Sequence, residues 1–304
     1  MLFLIRYYIA TAALLLVTVI WGSSFPLSKI VLAEISPLYY LGIRYTITTV
    51  VMGLLFHRQL HKYWRTSLKP ALPLGFAVFF AYILQTIGVV ETTASKAGFF
   101  TAFAVILVPL MMFFLQKQKP PRSLLIGVVL AAIGLSLMSG ILEEQLSFNL
   151  GDFLVLLSAV CFAVHIILIS RLKSDSNAVC IATIQFAVVA LFSFLFAFFL
   201  EEIPLSVKIS PSSWLILIFL AVFATAFAFT VQILAQKEMS AGQTAMIMTF
   251  EPVFSAGFSW LLLKEQFTLI GLCGGLLIVA GMLISQFYPV LEAKRGIKAL
   301  QPVP

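Results

Sequence analysis

The chain has 304 residues, 62% of them hydrophobic and 10% charged, with a formal net charge of +7. A water-soluble domain carries about 25% charged residues, so this chain lacks the polar surface to cover itself in water and reads as an all-α integral membrane protein. The positive balance does not point to nucleic acid, because the basic residues lie in short connections beside apolar segments, where an orientation signal belongs.

Ten apolar segments follow in chain order, each near the roughly 20 helical residues that cross a hydrocarbon core. In lipid the backbone must satisfy its own hydrogen bonds, so they are predicted as helices; the alternation of a β-barrel is absent. The first, 8–33, is too long for a signal peptide and lacks a small-residue cleavage site. It carries Trp21-Gly22-Ser23-Ser24-Phe25-Pro26. Pro26 has no backbone N–H and is expected to kink or open the helix just before it. A broken helix at that depth is tolerated where it lines a cavity. Trp21 and Ser24 share a face with Thr18 and Ser28. The plainer alternative is a packing kink whose serines bond their own backbone.

The second segment, 36–56, puts Arg44 roughly 12 Å along a helix, with Tyr40 and Thr48 on its face. A charge at that depth usually looks into the bundle; the alternative is a structural pairing. The region 65–70 reads as a loop before the third segment, 70–90, which holds Gln85. The fourth, 93–115, begins near Lys96; Lys96 and Lys29 stand near helix ends and are expected to snorkel. The fifth, 122–140, presents Gly127, Ala131 and Gly134, and the tenth, 267–288, presents Gly271, Gly275 and Gly281. Such stripes suit close helix packing, within the chain or in a homodimer.

The sixth segment, 150–171, contains His165, and the seventh, 176–200, contains Gln185. A loop at 201–211 precedes the eighth, 212–236, with Gln232. The three glutamines are candidates for hydrogen bonding a substrate, against a plain interhelical role. His165 reads as interhelical, having no second ligand nearby. In the ninth segment, 241–264, Glu251 lies about halfway along, just before Pro252. A buried carboxyl there could carry a proton, meet a cationic ligand, or pair with Arg44. Residues 289–304 remain as a tail.

With the N-terminus on one side, that side collects 14 of the 19 Lys and Arg residues, and the other side collects Lys96, Lys208 and Lys264. Both termini are therefore expected in the cytoplasm. Sliding residues 73–138 forward by 147 positions superposes Phe76 on Phe223, Gln85 on Gln232, Glu91 on Glu238, Phe103 on Phe250, Lys117 on Lys264, Gly127 on Gly274 and Gly134 on Gly281. Ten segments in two related halves give five each. An odd number inverts the second half, an arrangement found in carriers that work by alternating access.

Several strings then resemble the drug/metabolite transporter superfamily, in its EamA-type branch. They are Trp21-Gly22-Ser23-Ser24-Phe25, Arg44, Thr93-Ala94-Ser95-Lys96-Ala97, Ser240-Ala241-Gly242-Gln243-Thr244-Ala245, Phe250-Glu251-Pro252-Val253-Phe254 and Leu261-Leu262-Leu263-Lys264-Glu265. The resemblance implies two five-helix units, 8–140 and 150–288, with a central cavity between them, and a carrier of a small metabolite, an amino acid or related amphiphile, often an exporter, in a bacterial inner membrane. One departure is visible. Family members often carry Gly-Glu at the ends of the fourth and ninth spans, where this chain has Lys117-Gln118 and Lys264-Glu265.

An enzyme is not expected. Neither H-E-x-x-H nor G-x-S-x-G occurs, and no phosphate-binding loop suggests ATP drive. The three cysteines lack metal-ligand spacing, so no metal or cofactor is expected. The expected partners are the lipid bilayer and a small-molecule substrate. A non-transporting scaffold or receptor is the competing reading.

Overall fold

The computed structural model describes residues 2–116, 121–138, 148–173, 176–202, 209–266 and 268–294. The expectations on Lys117, Gln118, Lys119, Lys208, Arg295 and Lys298, and on the tail from 295 onward, lie outside the described residues. Among the described residues the fold is all-helical. We number the helices α1 (Leu2–Leu32), α2 (Pro37–Leu55), α3 (His57–Glu91), α4 (two half-helices, Ala94–Thr101 and Ala104–Gln116), α5 (Arg122–Met138), α6 (Leu150–Ser170), α7 (Ala178–Leu200), α8 (Pro211–Ala235), α9 (two half-helices, Ala241–Met248 and Glu251–Leu263) and α10 (Leu269–Lys294). Eight of these are long and apolar enough to cross a membrane; the apolar stretches of α5 and α10 are shorter.

Local chemistry sets the helix starts. Pro37 and Pro211 stand in the first turns of α2 and α8, where a missing N–H costs nothing. Asn149 and Asp152 form a capping box on α6, and Ser240 and Gln243 form one on α9. Asn177 caps α7, accepting from the Cys180 N–H at 2.9 Å.

Two expectations are corrected. The 65–70 region is not a loop, because α3 runs on through Pro70 and Pro73. Its first turns carry the exposed Arg58, Lys62, Arg65 and Lys69, where water can satisfy any carbonyl a proline leaves free. Helix α1 does not open at Pro26 but stays helical to Leu32. Proline removes one ladder bond, and the hydroxyls of Ser23 and Ser24 donate to the Ile20 and Trp21 carbonyls, both at 2.7 Å. The interruptions fall elsewhere, at Ala102-Phe103 in α4 and Thr249-Phe250 in α9. These two breaks are 147 positions apart.

Helix α8 has a different irregularity. Residues Leu220–Phe227 form a π-helical segment, flanked by α-helix on both sides. Such segments widen the backbone ring and free carbonyls for outside partners. Two are taken up here: Trp21 Nε1 donates to the Ala224 carbonyl at 2.7 Å, and Thr48 Oγ1 donates to the Ala221 carbonyl at 2.9 Å.

Two apolar clusters hold the bundle together. One joins α4, α5, α6, α9 and α10 to Tyr7, Ala10, Leu14 and Phe25 of α1. The other joins α2, α3, α7 and α8 to the rest of α1. In the first, α5 and α10 approach through glycine. A Cβ on Gly127 would stand 2.7 Å from the Gly281 carbonyl oxygen, and one on Gly134 would stand 2.5 Å from that of Gly274. Lipid supplies no hydrophobic drive between helices, so close contact of small residues does the packing.

Candidate functional site

A cavity with about 580 Å³ of empty space lies between the two clusters. Helix α1 contributes Trp21 and Ser24, α3 contributes Tyr82 and Gln85, and α6 contributes Phe162, His165 and Ile166. Helix α8 contributes Phe229 and Gln232; the breaks in α4 and α9 contribute Thr101, Ala102, Ala104 and Val105, and Ala245, Met248 and Glu251. Four pairs of wall residues are 147 positions apart: Tyr82 and Phe229, Gln85 and Gln232, Thr101 and Met248, Ala104 and Glu251. Only the glutamine pair keeps the same chemistry. The interrupted helices place Glu251 in the first turn of a half-helix, where the positive end of its dipole meets the carboxylate.

Hydrogen bonding distinguishes the wall residues. Gln85 Nε2 donates to Thr101 Oγ1 at 2.9 Å. The buried Gln232 Oε1 finds no partner among the described residues. Trp21 packs edge-on against Phe229, with ring centroids 5.1 Å apart. The two ion pairs among the described residues are Arg6 with Glu238 at 4.0 Å and Lys96 with Asp152 at 3.5 Å. Glu251 is therefore not paired with Arg44.

Arg44 is 2% exposed and is held by other means. Its Nε donates to Thr225 Oγ1 at 2.9 Å and its Nη1 to the Tyr40 hydroxyl at 3.0 Å. Its guanidinium carbon lies 6.0, 5.7 and 5.4 Å from the ring centroids of Tyr40, Tyr45 and Tyr82. Aromatic faces attract a cation at such distances. Thr225 belongs to the π segment, so α8 positions both Trp21 and Arg44. A second pocket of about 270 Å³ adjoins Arg44 and shares Ser24, Tyr82 and Gln85 with the first.

Of the sequence candidates, Trp21, Ser24, Gln85, Gln232 and Glu251 come together on the larger cavity, and Arg44 lines the adjoining pocket. Gln185 does not line either one. It is fully buried behind His165, whose Nε2 lies 3.3 Å from Gln185 Oε1. His165 is the wall residue of that pair, and nothing in the apolar sequence around it hints at which side of α6 faces the cavity. Lys29, near the end of α1, donates to the carbonyls of Val89 and Thr92 at the end of α3.

Sequence reasoning also missed a set of carboxylates at one end of the bundle. Glu201 accepts from the N–H groups of Leu38 and Tyr39 at 2.8 and 3.1 Å, capping α2. Glu265 accepts from the N–H groups of Ala94 and Ser95 at 3.1 and 3.2 Å, capping α4. Glu34 accepts from the Ser210 N–H and hydroxyl, both at 2.8 Å, just before α8. These bonds hold the Glu34 carboxyl below the ordinary carboxylate range. Asp152 joins α6 to Thr92 Oγ1 at 2.5 Å. The partners are more than 50 residues distant in sequence, so spacing gave no signal.

Lys264 closes α9 with φ 58°, the one positive φ at a non-glycine residue among those described. Glycine is the usual occupant of such a left-handed helix cap. The Gly-Glu pair that the resemblance led us to expect there has a physical reason: the first residue must turn left-handed, and the second caps α4.

The sequence profile of the EamA-like transporter family matches residues 8–140 and again 149–287. An uncharacterized transporter of Archaeoglobus fulgidus is 33% identical over 275 residues, covering 90% of this chain and 85% of that protein. The uncharacterized transporter YoaV of Bacillus subtilis is 24% identical over 278 residues, covering 89% of this chain and 94% of that protein. A solved crystal structure superposes with a TM-score of 0.75 at 18% identity, over 95% of this chain and 99% of that one, and so shares the fold.

Proposed function

Because the chain belongs to the EamA-like transporter family, we propose that it is a secondary carrier exporting a small metabolite, an amino acid or related amphiphile, by alternating access. In this reading all ten helices cross the membrane as two inverted units, 8–140 and 150–288. Both termini lie in the cytoplasm, where the segment expected as a tail from 289 begins as the last turns of α10, which runs to Lys294, and the membrane is a bacterial inner membrane. Trp21, Ser24, Arg44, Gln85, Gln232 and Glu251 form the substrate site. Gln185 acts only through His165, and Pro26 bends α1 without breaking it.

One observation carries the reading: half of the cavity wall consists of positions paired at the 147-residue offset between the two halves, Gln85 and Gln232 among them. A site built on such an axis is equally accessible to both halves of the bundle, which alternating access requires. The broken helices α4 and α9 meet it at matching points, as in carriers whose sites lie at half-helix ends.

Counterflow tests this. Vesicles containing the purified protein and loaded with unlabelled amino acids should accumulate the matching labelled one from outside. Failure across an amino-acid and amine panel, with the protein folded and inserted, would leave the scaffold or receptor reading. Single cysteines at positions 62 and 202 test the topology: they should react from opposite sides, and reaction from the same side refutes the inversion.

A further inference from the structure

Arg44 has more donors than the protein uses. Its Nε and Nη1 are bound to Thr225 and Tyr40, while the buried Nη2 finds no partner among the described residues. An unmet N–H on a buried cation is costly and requires an explanation. The side chain is part of the lining of the smaller pocket, on the side of the bundle that it shares with the larger cavity through Ser24, Tyr82 and Gln85. The tyrosine cage and the Thr225 bond fix the guanidinium plane, which leaves the Nη2 N–H groups oriented for an acceptor. A carboxylate oxygen would satisfy Nη2 with a charge-assisted bond.

On the far side of the wall formed by Ser24, Tyr82 and Gln85 stands Glu251, in the larger cavity and without an ion-pair partner among the described residues. Each group is set apart from the other's charge. Neither satisfies the other, and each is met by a different space. Trp21, Phe162 and Phe229 give the larger cavity an apolar and aromatic lining beside Glu251.

We propose that the two pockets form one bipolar site for a zwitterionic amphiphile, with its carboxylate on Arg44, its ammonium group toward Glu251 and its apolar body against Trp21 and Phe229. This rests on the transporter reading and adds to it an orientation and a role for each charge. Arg44 is then a specificity residue that rejects amines lacking a carboxylate. Glu251 rejects acids lacking an amine. A site built around a buried polar group discriminates strongly against ligands that leave it unpaired.

The test is a ligand series on purified full-length protein, read by calorimetry. Its probes are leucine and phenylalanine, their amides, and the corresponding deaminated acids. At least one amino acid should bind the wild type about tenfold or more tighter than its amide and its deaminated acid, as loss of a charge-assisted bond implies. This comparison needs no variant. Arg44→Gln should then bind the amino acid no better than the amide, and Arg44→Lys should recover part of the preference. Glu251→Gln should bind the amino acid no better than the deaminated acid. Equal wild-type affinity for amino acid and amide overturns the assignment, as does equal weakening of all three probes in Arg44→Gln. If no probe binds but the vesicles exchange another solute, the bipolar site is wrong and the carrier stands. If the preferences hold but no counterflow occurs, the site stands and the carrier reading is wrong.

Discussion

The α5–α10 contact gives the sharpest stability test, because its geometry sets two effects of known sign against each other. Gly134→Ala adds a methyl group on a helix interior, where alanine is favoured over glycine by about 1 kcal/mol. That methyl would lie 2.5 Å from the Gly274 carbonyl oxygen and 3.0 Å from the Ile278 backbone nitrogen. Comfortable carbon–oxygen contacts begin near about 3.3 Å, so the two backbones must move apart by somewhat under about 1 Å. Neither obstacle is a flexible side-chain end. Overpacking of this kind costs about 1–3 kcal/mol, so the net effect is destabilising by about 1 kcal/mol. Gly53→Ala is the control: it lies in α2, and a Cβ added there would meet nothing within 4 Å. There the helical preference acts alone. In thermal melts of detergent-purified protein, Gly134→Ala should fall below wild type and Gly53→Ala should match or exceed it. The gap should be on the order of 5 °C at roughly 2–4 °C per kcal/mol. A Gly134→Ala protein that melts with the control refutes the close approach of α5 and α10.

Trp21→Phe keeps the ring contact with Phe229 but leaves the Ala224 carbonyl of the π segment unmet; it should cost about 1–3 kcal/mol in the same melts. Lys264→Gly removes the side chain from a left-handed backbone position and should stabilise by about 1 kcal/mol. Glu34 has a folded pKa below its unfolded one, so its contribution is present above the ordinary carboxylate range and is lost as pH falls through the lowered value. Melts from neutral to acid pH should therefore show a shallower acid loss for Glu34→Gln than for wild type.

The class and most helix limits were legible in the sequence, because apolar length is a strong signal and lipid permits few structures. So was the glutamine pair, which the 147-position offset placed together before any contact was known. The breaks were not. Pro26 is the kind of residue that suggests an opening, yet the chain opens at Ala102-Phe103, with no proline beside it, and at Thr249-Phe250, just before Pro252 in the first turn of the next half-helix. The π segment was equally hidden. Phe76, Ala77 and Phe80 match Phe223, Ala224 and Phe227, but the first set is α-helical and the second is π-helical. The difference is tertiary: Trp21 and Thr48 reach the freed carbonyls of α8. Gln185 and His165 were exchanged in role because both sit on strongly apolar helices, where periodicity has no polar face to report.

The offset that pairs the wall residues also allows the position of a charge to be separated from its presence. Ala104 stands where Glu251 stands in the other half, and both border the same cavity. Glu251→Ala removes the carboxylate, and should abolish the preference for an amino acid over its deaminated acid. Adding Ala104→Glu returns a carboxylate to the cavity from the facing half-helix, again in its first turn, where the helix dipole favours a negative charge. The double variant should regain part of the lost preference while binding more weakly than wild type, since Ala104 is not placed relative to Arg44 as Glu251 is. The measurement is the affinity ratio for phenylalanine and 3-phenylpropionate in the three proteins. A double variant with the ratio of Glu251→Ala, and with an unchanged melting curve, would show that the two half-helix starts do not serve one binding space.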